Sequence, residues 1–537
     1  MKTLALLLAL TQQQPLVESI EVRVVNVDVV VTDKSGKPVS GLTANDFVIL
    51  EDGKAQPITN FYEVRSGEGK TTTETTTAVE QKPRRFVLFV DNYSLHPDVR
   101  NDVVASLDRF VDKTLEPRDE ASIVSWNRSL KILTPFTSDK AVLHDALAKV
   151  TKIGSVTSVS SPLARVQAHC AKNVDAVKSA RMAVMVAYDD CILAAREETE
   201  ELALSSRQLM GAINTTLNTL AGFEGRKVLV LAGAELPVKP GQEIYQWANH
   251  LFMPYMKGFD APIEQPKDVG TVQTLAIETV GQTANAQGVT LYLIAAALPG
   301  EPNSVAYSSA TSDNGADFLH RQNTASAYNT LADLTGGLSV TRTSKLDIMF
   351  DAIARDLDAY YSLGYKPNDY AGSTPRAIAV QTKDRSLTVR ARKTWTAKTA
   401  DEQFADRVVS NIYAPGMKSD FKVAIKAQKP QKQGNAFTVP IEVTFPAGLT
   451  LLPQENGLAG GFTFAVAVGN SLGGVSTIFK QPQSISIERA EEAGFRQTPI
   501  TYTAALKVSH GENIISVGIL DQIGRTAGFA RMTIVAE

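Results

Sequence analysis

Hydrophobic and polar positions largely alternate over Ile20–Thr32, with the period of two that marks a half-buried strand. A turn at Asp33–Pro38 and a second run at Phe47–Glu51, closed by Asp52-Gly53, complete a small antiparallel β unit over residues 18–65. Residues 66–83 hold clustered threonines among charges, with too little apolar content to pack, and read as an exposed linker. Beyond Arg84 the rhythm changes. Apolar strands at Phe86–Val90, Ala121–Trp126, Leu130–Leu133, Val228–Ala232 and Val289–Ala297 alternate with helical spacing at Val99–Val111, Ala141–Val150, Pro162–Leu220, Val269–Gly288, Thr324–Leu334 and Lys345–Tyr361. This alternation predicts an α/β domain over residues 84–365, built on a doubly wound, mostly parallel sheet covered on both faces, with a helical insertion at about 160–222. From Tyr365 strands dominate again. A β extension at 366–398 is followed by short strands at a spacing that predicts an Ig-like C-terminal β-sandwich over 399–537.

The chain has 537 residues, more than one core can serve, and at roughly 150 residues per domain it divides into three or four units. Its 54 Lys+Arg against 57 Asp+Glu leave a net charge of −3, without the basic excess that phosphate backbones demand, so no nucleic-acid partner is expected. Met1-Lys2-Thr3, the apolar run Leu4–Leu10 and the polar Thr11–Gln14 read as an export signal within residues 1–17; the alternative is a terminal strand or helix stub. The run is too short to span a bilayer, no Cys follows it that could carry a lipid, and no later segment reaches the roughly 20 apolar residues a spanning helix needs. The expected product is therefore exported, periplasmic or extracellular, with no transmembrane segment apart from the signal. Two cysteines, Cys170 and Cys191, lie in the helical stretch. On one unbroken helix they would sit about 30 Å apart, so a disulfide requires a helical hairpin; otherwise they are two separate buried thiols.

Phe86-Val-Leu-Phe-Val-Asp91, an amphipathic helix and Asp119-Glu-Ala-Ser-Ile-Val-Ser resemble the opening of a von Willebrand factor A-type domain. Further pieces follow in order: Thr134-Pro-Phe-Thr-Ser-Asp139, Gly225-Arg-Lys-Val-Leu-Val-Leu, Leu331-Ala-Asp-Leu-Thr-Gly-Gly337 and Tyr361-Ser-Leu-Gly-Tyr365. Together with the flanks Val29–Leu42 and Leu387–Lys393, they are similar to A-type-related proteins abundant in acidobacteria, over roughly residues 20–395. The resemblance implies an A-type fold and binding through loops at the carboxyl ends of the sheet strands. A-type domains commonly carry a site in which an Asp-x-Ser-x-Ser loop, a Thr and a further Asp hold Mg²⁺ or Mn²⁺, although the resembling family often drops the serines. Here Asp91 keeps the first carboxylate, but Tyr93 and Leu95 stand at the two serine positions and Gly233 stands where the third-loop carboxylate would lie. One carboxylate with Ser94 and Ser155 or Thr157 is a poor set for a hard dication that dehydrates reluctantly. No cofactor is expected; Asp91, Ser94 and Thr157 are the residues that would hold Mg²⁺ or Mn²⁺ if either bound. The ligand-binding loops implied are those carrying Asp91, Asn92 and Ser94, Ser155 and Thr157, and Gly233.

No catalytic residue is assigned. Gly469-Asn-Ser-Leu-Gly473 fits a nucleophile elbow in letters, but strand-like residues flank it on both sides where the elbow needs a following helix. The six histidines form no metal-ligand spacing, and Asp313-Asn-Gly-Ala-Asp317 lacks the ligands of a calcium loop. The expected function is a non-enzymatic, protein-binding or adhesion-type role with a degenerate metal site. The alternatives are a structural envelope component and a hydrolase with an unrecognised site. If the first part of the helical insertion projects from the domain, residues 168–194 become the next candidate for partner contact.

Overall fold

The computed structural model describes residues 24–65, 83–153, 162–176, 181–256, 264–266, 269–296, 314–343, 346–367, 374–414, 417–434, 436–455, 457–470 and 474–537. The proposed export signal and all but the last residue of the proposed linker lie outside them.

Six strands form the central sheet: β1 (Arg85–Asp91), β2 (Glu120–Trp126), β3 (Leu130–Thr137), β4 (Lys227–Gly233), β5 (Val289–Ala296) and β6 (Leu338–Thr343). Their spatial order is 3-2-1-4-5-6, and every pairing is parallel except β3 on β2. The strands are apolar almost throughout because both faces are covered. Phe86, Leu88 and Val90 of β1 point into one core, with α1 (Pro97–Thr114), α2 (Lys140–Lys152) and, late in the chain, Leu346–Asp358; Val87 and Phe89 point into the other. The second core is closed by α4 (Arg181–Leu220), which follows α3 (Pro162–Ala176), and by two later helices, Val269–Gln287 and Asn314–Thr335. The sequence treated Pro162–Leu220 as one helical stretch, and the structure folds it back on itself. Cys170 of α3 and Cys191 of α4 are disulfide-bonded across that hairpin, with Cα atoms 5.2 Å apart.

The leading β unit does not close on itself over residues 18–65. Strand Val25–Thr32 lies between Ala359–Tyr365 and Thr388–Ala391, and Phe47–Glu51 pairs with Arg376–Thr382, so chain on both sides of the central domain builds one β domain of two sheets. The physical reason is the alternation itself: Val25, Val27, Val29 and Val31 present an apolar face that Leu363 and Tyr365 extend on the paired strand and that Ile378 and Trp395 of the other sheet meet. The buried Glu51 carboxylate joins the two halves. It accepts from the Tyr365 hydroxyl at 2.6 Å, Trp395 Nε1 at 3.0 Å and Arg376 at 3.1 Å. The final helix of the central domain accordingly stops at Asp358, three residues before the expected Tyr361, and the chain turns to strand at Ala359.

Two β-sheets face each other in the C-terminal part, around a core that includes Val439, Ile441, Phe445, Phe464, Val517 and Ile519. A helix that the sequence reading passed over, Ala400–Tyr413, precedes them and packs Phe404, Val408 and Ile412 on the outer face of one sheet. Asn411 fixes it there, donating to Ser516 Oγ at 3.0 Å and Ala530 O at 3.1 Å. Ser410 on the same helix accepts the Gly222 N–H of the central domain at 2.9 Å, so this helix is the joint between the two. No helix among the described residues is long and apolar enough to cross a membrane.

Candidate functional site at the crest of the sheet

Doubly wound sheets gather their loops at the carboxyl ends of the strands, here called the crest. Asp91 ends β1 there and turns the chain toward α1. Its Oδ1 accepts the N–H groups of Tyr93 at 3.1 Å and Ser94 at 3.2 Å, and its Oδ2 accepts the Ser94 hydroxyl at 2.6 Å. This is the local side-chain-to-backbone bonding that a short carboxylate offers in a tight turn. Ser94 Oγ in turn accepts the Ala234 N–H at 2.9 Å, tying the loop after β1 to the loop after β4. Neighbouring Asn92 is fully buried and donates to Val150 O at 3.1 Å, at the end of α2. Burial pushes the Asp91 carboxyl up to about 6, partly offset by the Ser94 hydroxyl and amide; nearby Glu235 pushes the same way as burial.

Gly233 ends β4 directly beside Asp91. A Cβ there would lie 3.0 Å from the Tyr328 hydroxyl, 3.2 Å from Asp91 Cβ and 3.3 Å from Asp91 Oδ2. Tyr328, from the helix Asn314–Thr335, is fully buried and its hydroxyl finds no partner among the described residues. Burial, then the neighbouring Asp91 and Glu235 carboxyls, hold its phenol neutral. The place a third-loop carboxylate would take is therefore bounded by an aromatic ring and a protonated hydroxyl.

The described residues of this set offer few open donors to a divalent cation. Asp91 supplies one carboxylate whose two oxygens already take three donors, and Ser94 spends its lone pair on Ala234. Among the described residues no group of three or more His, Cys, Asp or Glu side chains comes together to hold a metal. Ser155 and Thr157, the sequence candidates on the second loop, lie outside the described residues.

The predicted loop residues that the structure describes are also covered. Asp91, Asn92, Leu95 and Gly233 are buried, and only 9% of Ser94 is exposed, so they hold the crest together rather than face a partner. The cover is the helical insertion. A 40-residue helix is about 60 Å long, whereas a seven-residue strand spans about 23 Å. Leu209, Ile213, Leu217 and Leu220 of α4 pack on the sheet, and because α4 leads into the base of β4 its amino-terminal half must overshoot the crest. That half, with α3 and α5 (Gln242–Phe252), forms a cap with a core of its own, including Cys170, Tyr188, Cys191, Ile192, Ile244 and Phe252. Where α4 crosses the crest, the Tyr93 hydroxyl donates to Glu201 at 3.1 Å, and Arg128 bonds both Tyr93 and Glu201.

The cap carries apolar side chains that no other described residue covers. Met182 is 75% exposed, Val186 62% and Leu193 51%, and their spacing of four and seven residues places them on one face of α4. Sequence reading put residues 168–194 second to the crest loops. It missed α5, Tyr328 and the Tyr93–Arg128–Glu201 cluster, which are brought together only by the fold.

The remaining sequence candidates stay apart from chemistry. Ser471 and Asp313 lie outside the described residues. Around Ser471, Asn470 N donates to Gly474 O at 3.0 Å and Gly469 bridges Val475, so the chain returns as strand without a helix. His144 sits between Asp108 at 2.5 Å and Asp112 at 3.0 Å on neighbouring helices, and these carboxylates raise its pKa, Asp108 first.

No family model matches the chain, and no curated protein matches it. Solved structures overlap it in part. An aerotolerance-related membrane protein from Bacteroides fragilis is 10% identical with a TM-score of 0.24, over 51% of this chain and 98% of its own. The vWF domain of a type V pilus tip protein from Porphyromonas gingivalis is 13% identical with a TM-score of 0.24, over 52% of this chain and 95% of its own. A von Willebrand factor type A protein from Catenulispora acidiphila is 8% identical with a TM-score of 0.24, over 91% of this chain and 74% of its own. These overlaps are too loose to carry function or membership across. What places the central domain is its own topology, a mixed α/β fold with a parallel-rich 3-2-1-4-5-6 sheet and one antiparallel edge strand.

Proposed function

We propose that the chain is an exported, non-enzymatic protein-binding protein of the adhesion type, whose A-type-like domain meets its partner through the helical cap and without a metal ion. The observation that carries this reading is the exposed face Met182, Val186 and Leu193 on a disulfide-tied cap above a crest that is closed by its own hydrogen bonds. Exposed apolar side chains clustered on one element mark interaction surfaces. A disulfide suits an oxidising compartment, in keeping with the leader pattern at residues 1–17. The A-type affiliation is supported by the strand order and by Asp91 at the end of β1; the narrower acidobacterial affiliation rests on the sequence motifs alone. The test immobilises the full chain, passes envelope and secreted proteins of the source organism over it, and compares the triple variant Met182→Asp, Val186→Asp, Leu193→Asp. A retained partner should be lost with the triple variant and kept in chelator. Retention by the variant, or release by chelator, contradicts the proposal.

A further inference from the structure

At the opposite end of the central sheet, the base, two cavities of about 740 and 600 Å³ adjoin. Both are lined by Lys227, Arg392, Glu224 and Gly288. The smaller is bounded by six cationic side chains and two carboxylates among the described residues, Asp28 and Glu224. Its rim reaches solvent at Arg65 and Arg118, whose side chains are 39% and 43% exposed.

Most cations near the base have a carboxylate. Arg84 binds Asp119 at 2.5 Å, Arg85 binds Glu120 at 2.9 Å and Lys398 binds Asp406 at 2.5 Å. Among the described residues, the two that both cavities share form no ion pair with one. Lys227 is 9% exposed, and among the described residues its Nζ donates to the Phe223 carbonyl alone, at 3.0 Å. Arg392 donates to the carbonyls of Asn285 at 3.4 Å and Asn26 at 2.7 Å, while its Nε is buried with no partner. The two head groups converge. A Cβ on Gly288 would lie 3.8 Å from both Lys227 Nζ and Arg392 Nη1, and Gly288, at a φ of 65°, has no side chain to fill that space. A buried ammonium beside a half-buried guanidinium, on which Asp406 and Asp28 act only through space with no ion pair among the described residues, is a costly arrangement that a negative group would complete.

We propose that Lys227 and Arg392 form an anion-binding site at the base of the sheet, for a small polyvalent oxyanion of the phosphate class, either inorganic or carried as a monoester. The guanidinium supplies a planar fork and the ammonium a point charge, the combination that recognises tetrahedral oxyanions. The electrostatics agree. Burial first, then Lys398, Arg392 and Arg85, bring Lys227 down to about 7 against the opposing pull of Asp406, so at pH 8 much of it is neutral. A bound dianion favours the protonated form and must draw a proton in.

Calorimetry on the full chain at pH 8 tests this, with inorganic phosphate in one arm and glycerol phosphate in the other, at constant ionic strength in chloride. Saturable binding of either is expected, with the tighter arm identifying the source. Net proton uptake, read by repeating the titration in Tris and in HEPES, is expected alongside it on the unaltered chain. Arg392→Gln should weaken binding about tenfold or more, the value of one or two charge-assisted hydrogen bonds. No saturable heat in either arm, binding without proton uptake, or full affinity in a folded Arg392→Gln chain overturns the site.

Discussion

Tyr328 and Gly233 offer a quantitative check on how the crest is closed. In Gly233→Ala the added methyl would sit 3.0 Å from the Tyr328 hydroxyl and 3.2 Å from Asp91 Cβ, closer than ordinary carbon contacts, and neither neighbour is the free end of a flexible chain. Overpacking of this kind costs about 1–3 kcal/mol. Tyr328→Phe removes a buried hydroxyl with no partner among the described residues, so it should cost under about 1 kcal/mol or be stabilising, since an unmet buried polar group carries a penalty of about 1–3 kcal/mol. The same change opens the space the methyl needs. The double variant should therefore recover about 1–2 kcal/mol of the Gly233→Ala loss. Native-state hydrogen exchange of the β1 and β4 amides gives the opening free energy of this sheet directly, without assuming that all domains unfold together. Additivity of the two changes within about 0.5 kcal/mol would refute the packing argument. So would a loss above about 1.5 kcal/mol in Tyr328→Phe alone, which would mean that the hydroxyl is bonded.

Two further outcomes follow from the same geometry. Asp91 is raised to about 6 in the folded chain, above its unfolded value near 3.9, so the associated stability is full below pH 4 and is lost as pH rises through about 6. Wild type should lose up to about 3 kcal/mol over that window relative to Asp91→Asn in urea unfolding followed across pH, and a relative gain instead would contradict the burial argument. Cys170→Ser with Cys191→Ser should cost about 3 kcal/mol for a loop of this size, and exchange should quicken in α3 and the first half of α4 while β1 and β4 stay protected; equal loss in the sheet would show that the cap is not a separate core.

The central sheet was legible because apolar runs such as Phe86–Val90 and Val228–Ala232 are long, buried on both faces and separated by helical spacing. The closure of the leading β unit was not, because the partners of Val25–Thr32 lie more than 300 residues away and alternation names a face without naming its neighbour. The helix Ala400–Tyr413 was missed although Thr399 and Glu402 form a capping box, a local signal that strand-rich surroundings outweighed. Likewise Ile244, Tyr245, Ala248 and Phe252 of α5 have helical spacing and line the cap core. The lost serines at positions 93 and 95 and Gly233 could be read directly. The covering of the crest could not, since it depends on where a 40-residue helix stops lying on the sheet and starts to overhang it.

On the proposed function, the crest is a closed structural joint and not an ion-gated binding site. Thermal unfolding of the full chain in chelator, then in millimolar Mg²⁺ or Mn²⁺, tests it most directly, because any ligand of the native state must raise its midpoint. The same midpoint is expected in both conditions. A metal-dependent rise that vanishes in Asp91→Ala would contradict it.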